Sequence, residues 1–434
     1  MAIYLKDGLY IDWKTLEFKR AHIRVEAGIN GSIKFVTSIP EVRSGEPAGG
    51  SSADRILDCN NRLIMKAFGC AHHHVYSALA QGMPSPVKTP RNFHDILTST
   101  WWELDKRLDK KMIEASALVT AMDCAKKGVT FVIDHHSSPN AVENSLFTIA
   151  AAFDKVGISH LLCYELSDRD GKIPLQKALK ETENYLKTGN QGLVGLHSSF
   201  TVGDELLRKA VGLAEKYDSG IHTHAAEDLI DQEHTIKHYG KRVIERFRDA
   251  GALAQKKTIL AHCLHLNDRE REILTRSQAY VVQNVESNLN NKVGFFDPKG
   301  YMEKIMLGTD GMHSDMLRSS QVAFLMGRHS EGISPAEIYR RFRKIHDYTG
   351  KNNFYGDGEN NLVILNYDSP TEINRDNFLS HFAYGISSNH VESVIARGKL
   401  IVKNREIITV DEDEILAFSQ ERAGKLWGKL QNRE

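Results

Sequence analysis

The chain has 434 residues, 41% of them apolar, and its 56 basic residues balance 56 acidic ones. That length accommodates one large domain and a smaller one, and the balanced charge excludes the basic excess expected of a nucleic-acid binder. The five cysteines (Cys59, Cys70, Cys124, Cys163, Cys263) are scattered and form no CxxC pair, which argues against a disulfide framework or a zinc knuckle and fits a reducing cytoplasm. The N-terminus lacks the basic-then-apolar order of a signal peptide, and no apolar run reaches bilayer length.

Residues 1–60 read as short strands separated by glycine turns at Gly28, Gly31, Gly45, Gly49 and Gly50. Residues 63–71 then form an apolar stretch closed by His72, His73 and His74. At the end of a strand, His72 and His74 point to one face and His73 to the other. Two imidazoles on one face suit a borderline-soft divalent metal, although alone the triplet is as well explained by chance in a chain with 20 histidines. A long connection follows, carrying Pro84, Pro86 and Pro90 and ending in Trp101 and Trp102. Residues 84–102 thus read as a lid over a barrel mouth or as a surface helix packing its tryptophan pair, and the two are compatible.

From about residue 130 to 310, short apolar strands alternate with amphipathic helices. Strands are expected at 130–134, 160–164, 193–197, 220–224, 258–262, 280–284 and 305–310, and helices at 111–126, 203–217 and 267–275, the last with Asn267 as N-cap. With the strand closed by the histidine triplet, the strands number eight. Eight strands alternating with helices predict a parallel (β/α)8 TIM barrel. Strand signals return at 361–365, 394–402 and 407–410. The economical arrangement is a small β-sandwich domain built from residues 1–60 and 361–434, with the barrel over 61–360.

Active sites of such barrels lie at the C-terminal strand ends. Those ends carry His72 and His74; Asp134, His135 and His136; His197; His222 and His224, with Glu227 close behind; His262; and Asp310. Singly, His224 reads equally as a core histidine, Asp310 as a turn residue and Asp134 as a helix cap. Jointly they predict a metal site, because core packing does not require polar residues at six strand ends on the same side.

These motifs resemble the amidohydrolase superfamily, in its metal-dependent deaminase and chlorohydrolase branch. The first-strand HxH is matched by His72-His73-His74, the fifth-strand HxxE by His224-Ala225-Ala226-Glu227, the sixth-strand His by His262 and the eighth-strand Asp by Asp310. Asn284-Val285-Glu286-Ser287-Asn288-Leu289 resembles the family's Asn-Pro-x-Ser-Asn segment. The segments 101–105, 134–139 and 163–171 are similar to the SsnA-like group of aminohydrolases. There are departures: Lys66-Ala67 replaces the usual Pro-Gly, Val285 replaces a proline, and no lysine closes the fourth strand. The first two affect turns rather than ligands, and the third favours a single metal ion.

The resemblance implies one divalent ion, Zn or alternatively Fe, held by His72, His74, His224 and Asp310. It further implies attack by metal-activated water, proton transfer by Asp310 and Glu227, and stabilisation by His262. His197, Arg169, Asp168, His135, Asn288 and Trp101 are candidates for contacting substrate. For His197 the alternative is support of its neighbours, and for Asp168 and Arg169 a surface ion pair. His73, His136 and His222 have no assigned role. The expected activity is aminohydrolysis that releases ammonia from a purine- or pterin-like heterocyclic amine. Dechlorination or amide or amidine hydrolysis is the enzymatic alternative, and a non-catalytic metal-binding barrel the alternative of another class. The expected setting is a cytoplasmic protein with a small-molecule substrate and neither nucleic-acid nor membrane partner, pairing as a homodimer through barrel helices.

Overall fold

The computed structural model describes residues 2–40, 55–86 and 89–432. The turns expected at Gly45, Gly49 and Gly50, and Val87 and Lys88 of the proline-rich connection, lie outside the described residues.

Eight parallel strands follow one another in chain order: Phe68–His73, Val129–His136, Ser159–Leu166, Val194–Ser198, Ile221–Ala225, Ile259–His262, Tyr280–Gln283 and Ile305–Leu307. Most are buried along their whole length, as parallel strands covered on both faces must be. The first and last strands close the barrel through a parallel bridge between His73 and Asp310. There His72 O accepts the N–H groups of Thr309 (3.0 Å) and Asp310 (3.1 Å). Local sequence fixes the helix ends between strands. Asp109 accepts the Met112 N–H to start Lys110–Lys126, and Asn267 with Glu270 forms a capping box for Asp268–Arg276.

Strands from both ends of the chain join one nine-stranded mixed sheet. Ala2–Ile11 pairs antiparallel with Phe18–Glu26, and Val391–Ala396 forms a hairpin with Lys399–Lys403. The sheet folds over on itself. Gly28 N–H donates to Arg397 O (3.0 Å), joining parts of the sheet several strands apart, and Leu5, Ile23, Ile64, Ile364 and Ile395 pack in one apolar cluster. Gly398, at φ +70°, is required at this join, since a Cβ there would lie 2.2 Å from Glu26 O.

The apolar stretch over 63–71 divides into two strands. Leu63–Lys66 lies in the terminal sheet, parallel to Ala2–Ile11 and antiparallel to Leu362–Leu365, whereas Phe68–His73 enters the barrel beside Val129–His136. The backbone changes partners at one peptide: Ala67 N–H donates to Asn361 O, and Phe68 N–H to Gly128 O, both at 2.9 Å. Lys66 anchors this crossing. It is 1% exposed, and its ammonium donates to the carbonyls of Asp357 (2.8 Å) and Gly358 (2.9 Å), with the Asp357 carboxylate at 3.4 Å.

The sequence reading did not anticipate the last element, a 21-residue helix over Glu412–Asn432. It lies against Lys110–Lys126, where Ser419 Oγ donates to Ala115 O (3.4 Å). It also braces the proline-rich connection, through Trp427 Nε1 donating to Leu79 O (2.8 Å). That connection forms short helical segments over Phe93–Ile96, Leu97–Trp101 and Trp102–Arg107, the middle one a π-helical turn.

Removing one member of a buried ion pair costs about 3–5 kcal/mol, because the other charge stays buried alone. Lys66→Ala should therefore destabilise the fold by about that amount in urea unfolding at pH 7. Burial works to raise the Asp357 carboxyl, but His346 and Lys66 outweigh it and hold it below the usual carboxylate range. A depressed folded pKa contributes stability that is complete above the unfolded value and lost as pH falls through the folded one. The wild-type stability that rests on this carboxylate should thus be complete above about pH 4 and be lost as pH falls further.

Candidate metal centre and active site

His72 and His74 end the first barrel strand, His224 lies in the fifth, and Asp310 follows the eighth. Their ligand atoms all lie within 4.8 Å of one another. His74 Nε2 is 3.1 Å from His224 Nε2 and 2.9 Å from Asp310 Oδ1, and His72 Nε2 is 3.2 Å from the same oxygen. Donors bonded at about 2.0–2.1 Å to one ion stand about 2.9–3.4 Å apart for bond angles between 90° and tetrahedral, so the spacing fits one shared cation. His72 Nε2 is buried and has no hydrogen-bond partner, as an open lone pair would be. Three imidazoles and a carboxylate are a donor set suited to zinc or a similar divalent ion.

The outer ring nitrogens orient these imidazoles. His74 Nδ1 donates to His135 O (2.6 Å) and His224 Nδ1 to His197 O (2.8 Å), which leaves each Nε2 lone pair turned inward. His72 Nδ1 meets His222 Nε2 at 2.9 Å, and His222 Nδ1 lies 3.6 Å from Cys163 Sγ. His222 therefore supports a neighbouring imidazole and stands outside the four-ligand group.

Glu227, His262 and Asp310 converge beside that group. His262 Nε2 lies 3.5 Å from Glu227 Oε2 and 3.9 Å from Asp310 Oδ2. His262 Nδ1 donates to Asn288 Oδ1 (2.7 Å), which turns Nε2 toward the carboxylates, and Ser287 Oγ donates to Asp310 Oδ2. Burial, reinforced by the Asp310 charge, pushes the Glu227 carboxyl well above its usual range. Burial acts on Asp310 in the same direction, but the facing imidazoles of His74 and His72 outweigh it and hold that carboxyl well below. The backbone here is strained: Ala226 (φ 49°), His262 (φ 71°), Cys263 (φ 56°) and Asp310 (φ 53°) all adopt left-handed conformations.

A cavity opens over these groups. His197, Arg169 and Trp101 line it, joined by Trp102, Phe93 and Leu97 from the proline-rich connection. The other three expected substrate contacts lie elsewhere. His135 is fully buried beneath the ligands, its Nε2 facing the carbonyls of Leu196 (3.1 Å) and His222 (3.2 Å). Asn288 sits behind His262. Asp168 is exposed and accepts the Gly203 N–H (2.7 Å). His73 lies between Asp134 (3.7 Å) and Ser314 (3.4 Å), and His136 Nε2 contacts Ser138 Oγ at 2.9 Å.

The structure adds Glu165 to the cavity wall and Asp105 just behind it. Arg169 pairs with Asp105 through Nη2 and with Asp170 through Nε (2.8 Å), and stacks on Trp102 at 5.1 Å. Glu165 was missed because the third strand reads as ending at Tyr164, whereas it runs to Leu166. Asp105 follows the tryptophan pair on an element whose placement is not set by its own periodicity.

A closed parallel barrel with this donor set at its C-terminal mouth defines a metal-dependent hydrolase class. The amidohydrolase family profile matches residues 63–341, and the chain belongs to the amidohydrolase family. It is 30% identical over 426 residues to a 5'-deoxyadenosine deaminase of Methanopyrus kandleri, covering 92% of this chain and 95% of that one. It is 26% identical over 413 residues to a 5-methylthioadenosine/S-adenosylhomocysteine deaminase of Syntrophomonas wolfei, covering 90% and 93%. Its fold is similar to that of a zinc-bound adenosine deaminase from Xanthomonas campestris, with a TM-score of 0.81, 16% identity and 98% of each chain covered.

His72→Ala and His224→Ala should each bring bound divalent metal, measured by elemental analysis after gel filtration, from about one ion per chain to near zero. His73→Ala, on the opposite face of the same strand end, should keep its metal.

Proposed function

We propose that the protein is a zinc-dependent aminohydrolase that releases ammonia from an adenine-type heterocycle, with a 5'-modified adenosine as the leading substrate class. The convergence of Glu227, His262 and Asp310 on one side of the four-ligand group carries this reading, because deamination of a ring needs a proton moved from water to a ring nitrogen and then to the leaving amine. The nucleoside class rests on the two deaminase relatives.

His72, His74, His224 and Asp310 would hold the ion, which when bound supplies a water acidic enough to lose a proton at neutral pH. Asp310, whose Oδ1 faces the imidazoles of His72 and His74, would take that proton through Oδ2. Glu227 would carry a proton to the ring nitrogen beside the reacting carbon and then to the departing amino group. His262 Nε2 faces the same point and would accept a hydrogen bond from the attacking water, holding its oxygen in place. Ser287 fixes the Asp310 carboxylate, and Asn288 fixes the His262 ring. Trp101, Trp102 and Phe93 cover the cavity and would exclude water from a planar ring. Five unpaired, buried cysteines support a reducing compartment, and among the described residues no helix is long and apolar enough to cross a membrane.

Zinc-loaded enzyme should release ammonia from at least one of adenosine, 5'-deoxyadenosine, 5'-methylthioadenosine, guanine or a pterin. Silence across that panel with zinc bound would overturn the reading. Glu227→Gln should lower kcat by about 10²–10⁴-fold while metal content stays near wild type. Iron in place of zinc in protein purified without added metal would correct the metal alone.

A further inference from the structure

The short helix Val285–Asn291 supplies the polar side chains that hold the reacting groups. Ser287 Oγ donates to Asp310 Oδ2, and Asn288 Oδ1 accepts from His262 Nδ1 (2.7 Å). Asn291 stands four residues beyond Ser287 and three beyond Asn288, the spacings at which side chains on a helix are neighbours. Lys292, in the left-handed region at φ 55°, ends the helix one residue later. Asn291 thus occupies the last helical position, and it lines the cavity together with Glu227, Ser287 and Asp310.

Both ends of the Asn291 amide are engaged. Oδ1 accepts from Asn290 Nδ2 (3.1 Å), which fixes the amide with its own Nδ2 as the donor end. Nδ2 donates to Ser287 Oγ (3.3 Å). The Ser287 hydroxyl gives its one hydrogen to Asp310 and accepts this bond on a lone pair. The Asn291 side chain also hydrogen-bonds the Glu227 carboxyl, where it favours the ionised form against burial. That carboxyl is otherwise loosely held: Oε1 is buried with no hydrogen-bond partner, and Oε2 lies 3.5 Å from His262 Nε2. Glu227, Asn291, Ser287 and Asp310 therefore form one chain of hydrogen bonds, with Asn291 supplying the donor that two carboxylates cannot supply to each other.

We propose that Asn291 is a positioning residue for Glu227: through Ser287 its amide ties the Glu227 carboxyl to the Asp310 carboxylate, and so fixes the place from which Glu227 moves protons. This assignment rests on the aminohydrolase reading for what Glu227 does, and on the hydrogen-bond chain for where it is held. Proton transfer tolerates little displacement, and a misplacement of about 1 Å can cost about 100-fold in rate.

A double-mutant cycle on the zinc-loaded enzyme tests it, with whichever of adenosine, 5'-deoxyadenosine and 5'-methylthioadenosine the wild type deaminates fastest. Asn291→Ala should lower kcat by about 10- to 100-fold, with KM and zinc content unchanged. In the Glu227→Gln background the same substitution should change kcat by less than about threefold, because the group it positions is gone. Asn291→Leu, which fills the space without donating, should match the alanine variant and decides the matter if that variant does not fold. A loss of equal size in both backgrounds overturns the proposal, as does an unchanged kcat. So does a rise in KM alone, which marks a substrate contact, or loss of zinc from both variants, which marks support of Asp310. Crystal structures of the zinc-loaded wild type and Asn291→Leu give a readout independent of turnover: a Glu227 carboxyl displaced or split between positions is expected, and one left in place overturns the proposal. A displaced carboxyl in an enzyme whose wild type releases no ammonia overturns the aminohydrolase reading and leaves the positioning assignment standing.

Discussion

The hydrogen bonds that close the barrel are made by residues whose side chains also form the candidate ligand group. His72 O accepts the N–H groups of Thr309 and Asp310, and His74 N–H donates to Asp310 O (3.3 Å). The side chains of His72, His74 and Asp310 meet just above this seam. Sealing the last strand against the first therefore brings a carboxylate from one end of the barrel domain onto two imidazoles from the other, more than two hundred residues away in sequence. The barrel cannot be closed with those three donors apart, and they cannot meet unless it is closed.

The left-handed backbone at His262, Cys263 and Asp310 follows from the same requirement. A strand that simply continued would carry its side chain past the axis. A left-handed turn at the strand tip swings it inward, at a cost of order 1–3 kcal/mol for each residue without glycine's freedom. Hydrogen bonds offset that cost. Asn288 holds His262, Ser287 holds Asp310, and the carbonyls of His135 and His197 hold the imidazoles of His74 and His224. The groups at the centre are thus positioned by polar partners on neighbouring strands and on the helix Val285–Asn291, the arrangement expected of a site that must keep its shape without rearranging during reaction.

Much of this could be read from the chain because the signals are local. Short apolar runs ending in His or Asp give both the strand and the direction of its tip, and each barrel strand lies on the segment expected for it. What could not be read depends on partners distant in sequence. Nothing in residues 63–71 marks the change of partner at Ala67, because both halves are equally apolar; the change is made by Asn361 and Gly128. Glu165 belongs to the third strand because it pairs with Gly195 of the fourth, and its own neighbourhood does not show this. Asp168 and Arg169 look alike as polar residues after a strand, yet Asp168 holds the Gly203 backbone while Arg169 turns inward to Asp105. The last helix did carry a readable sign, with Glu412, Asp413 and Glu414 in its first turn.

Trp427 gives that last helix a further consequence. Its indole holds Leu79 O, and the backbone carbonyl of Lys429 accepts from Arg107 Nε (3.0 Å), so the final turns prop both ends of the segment that roofs the cavity. During synthesis the early strands emerge long before these props, and the sheet strand Leu63–Lys66 must likewise await Leu362–Leu365. A ribosome-bound chain can assemble individual strand–helix units as they appear, but the segment over its pocket stays unpropped until Trp427 and Lys429 have left the exit tunnel. A chain cut short before Glu412 would keep every barrel strand and lose both props.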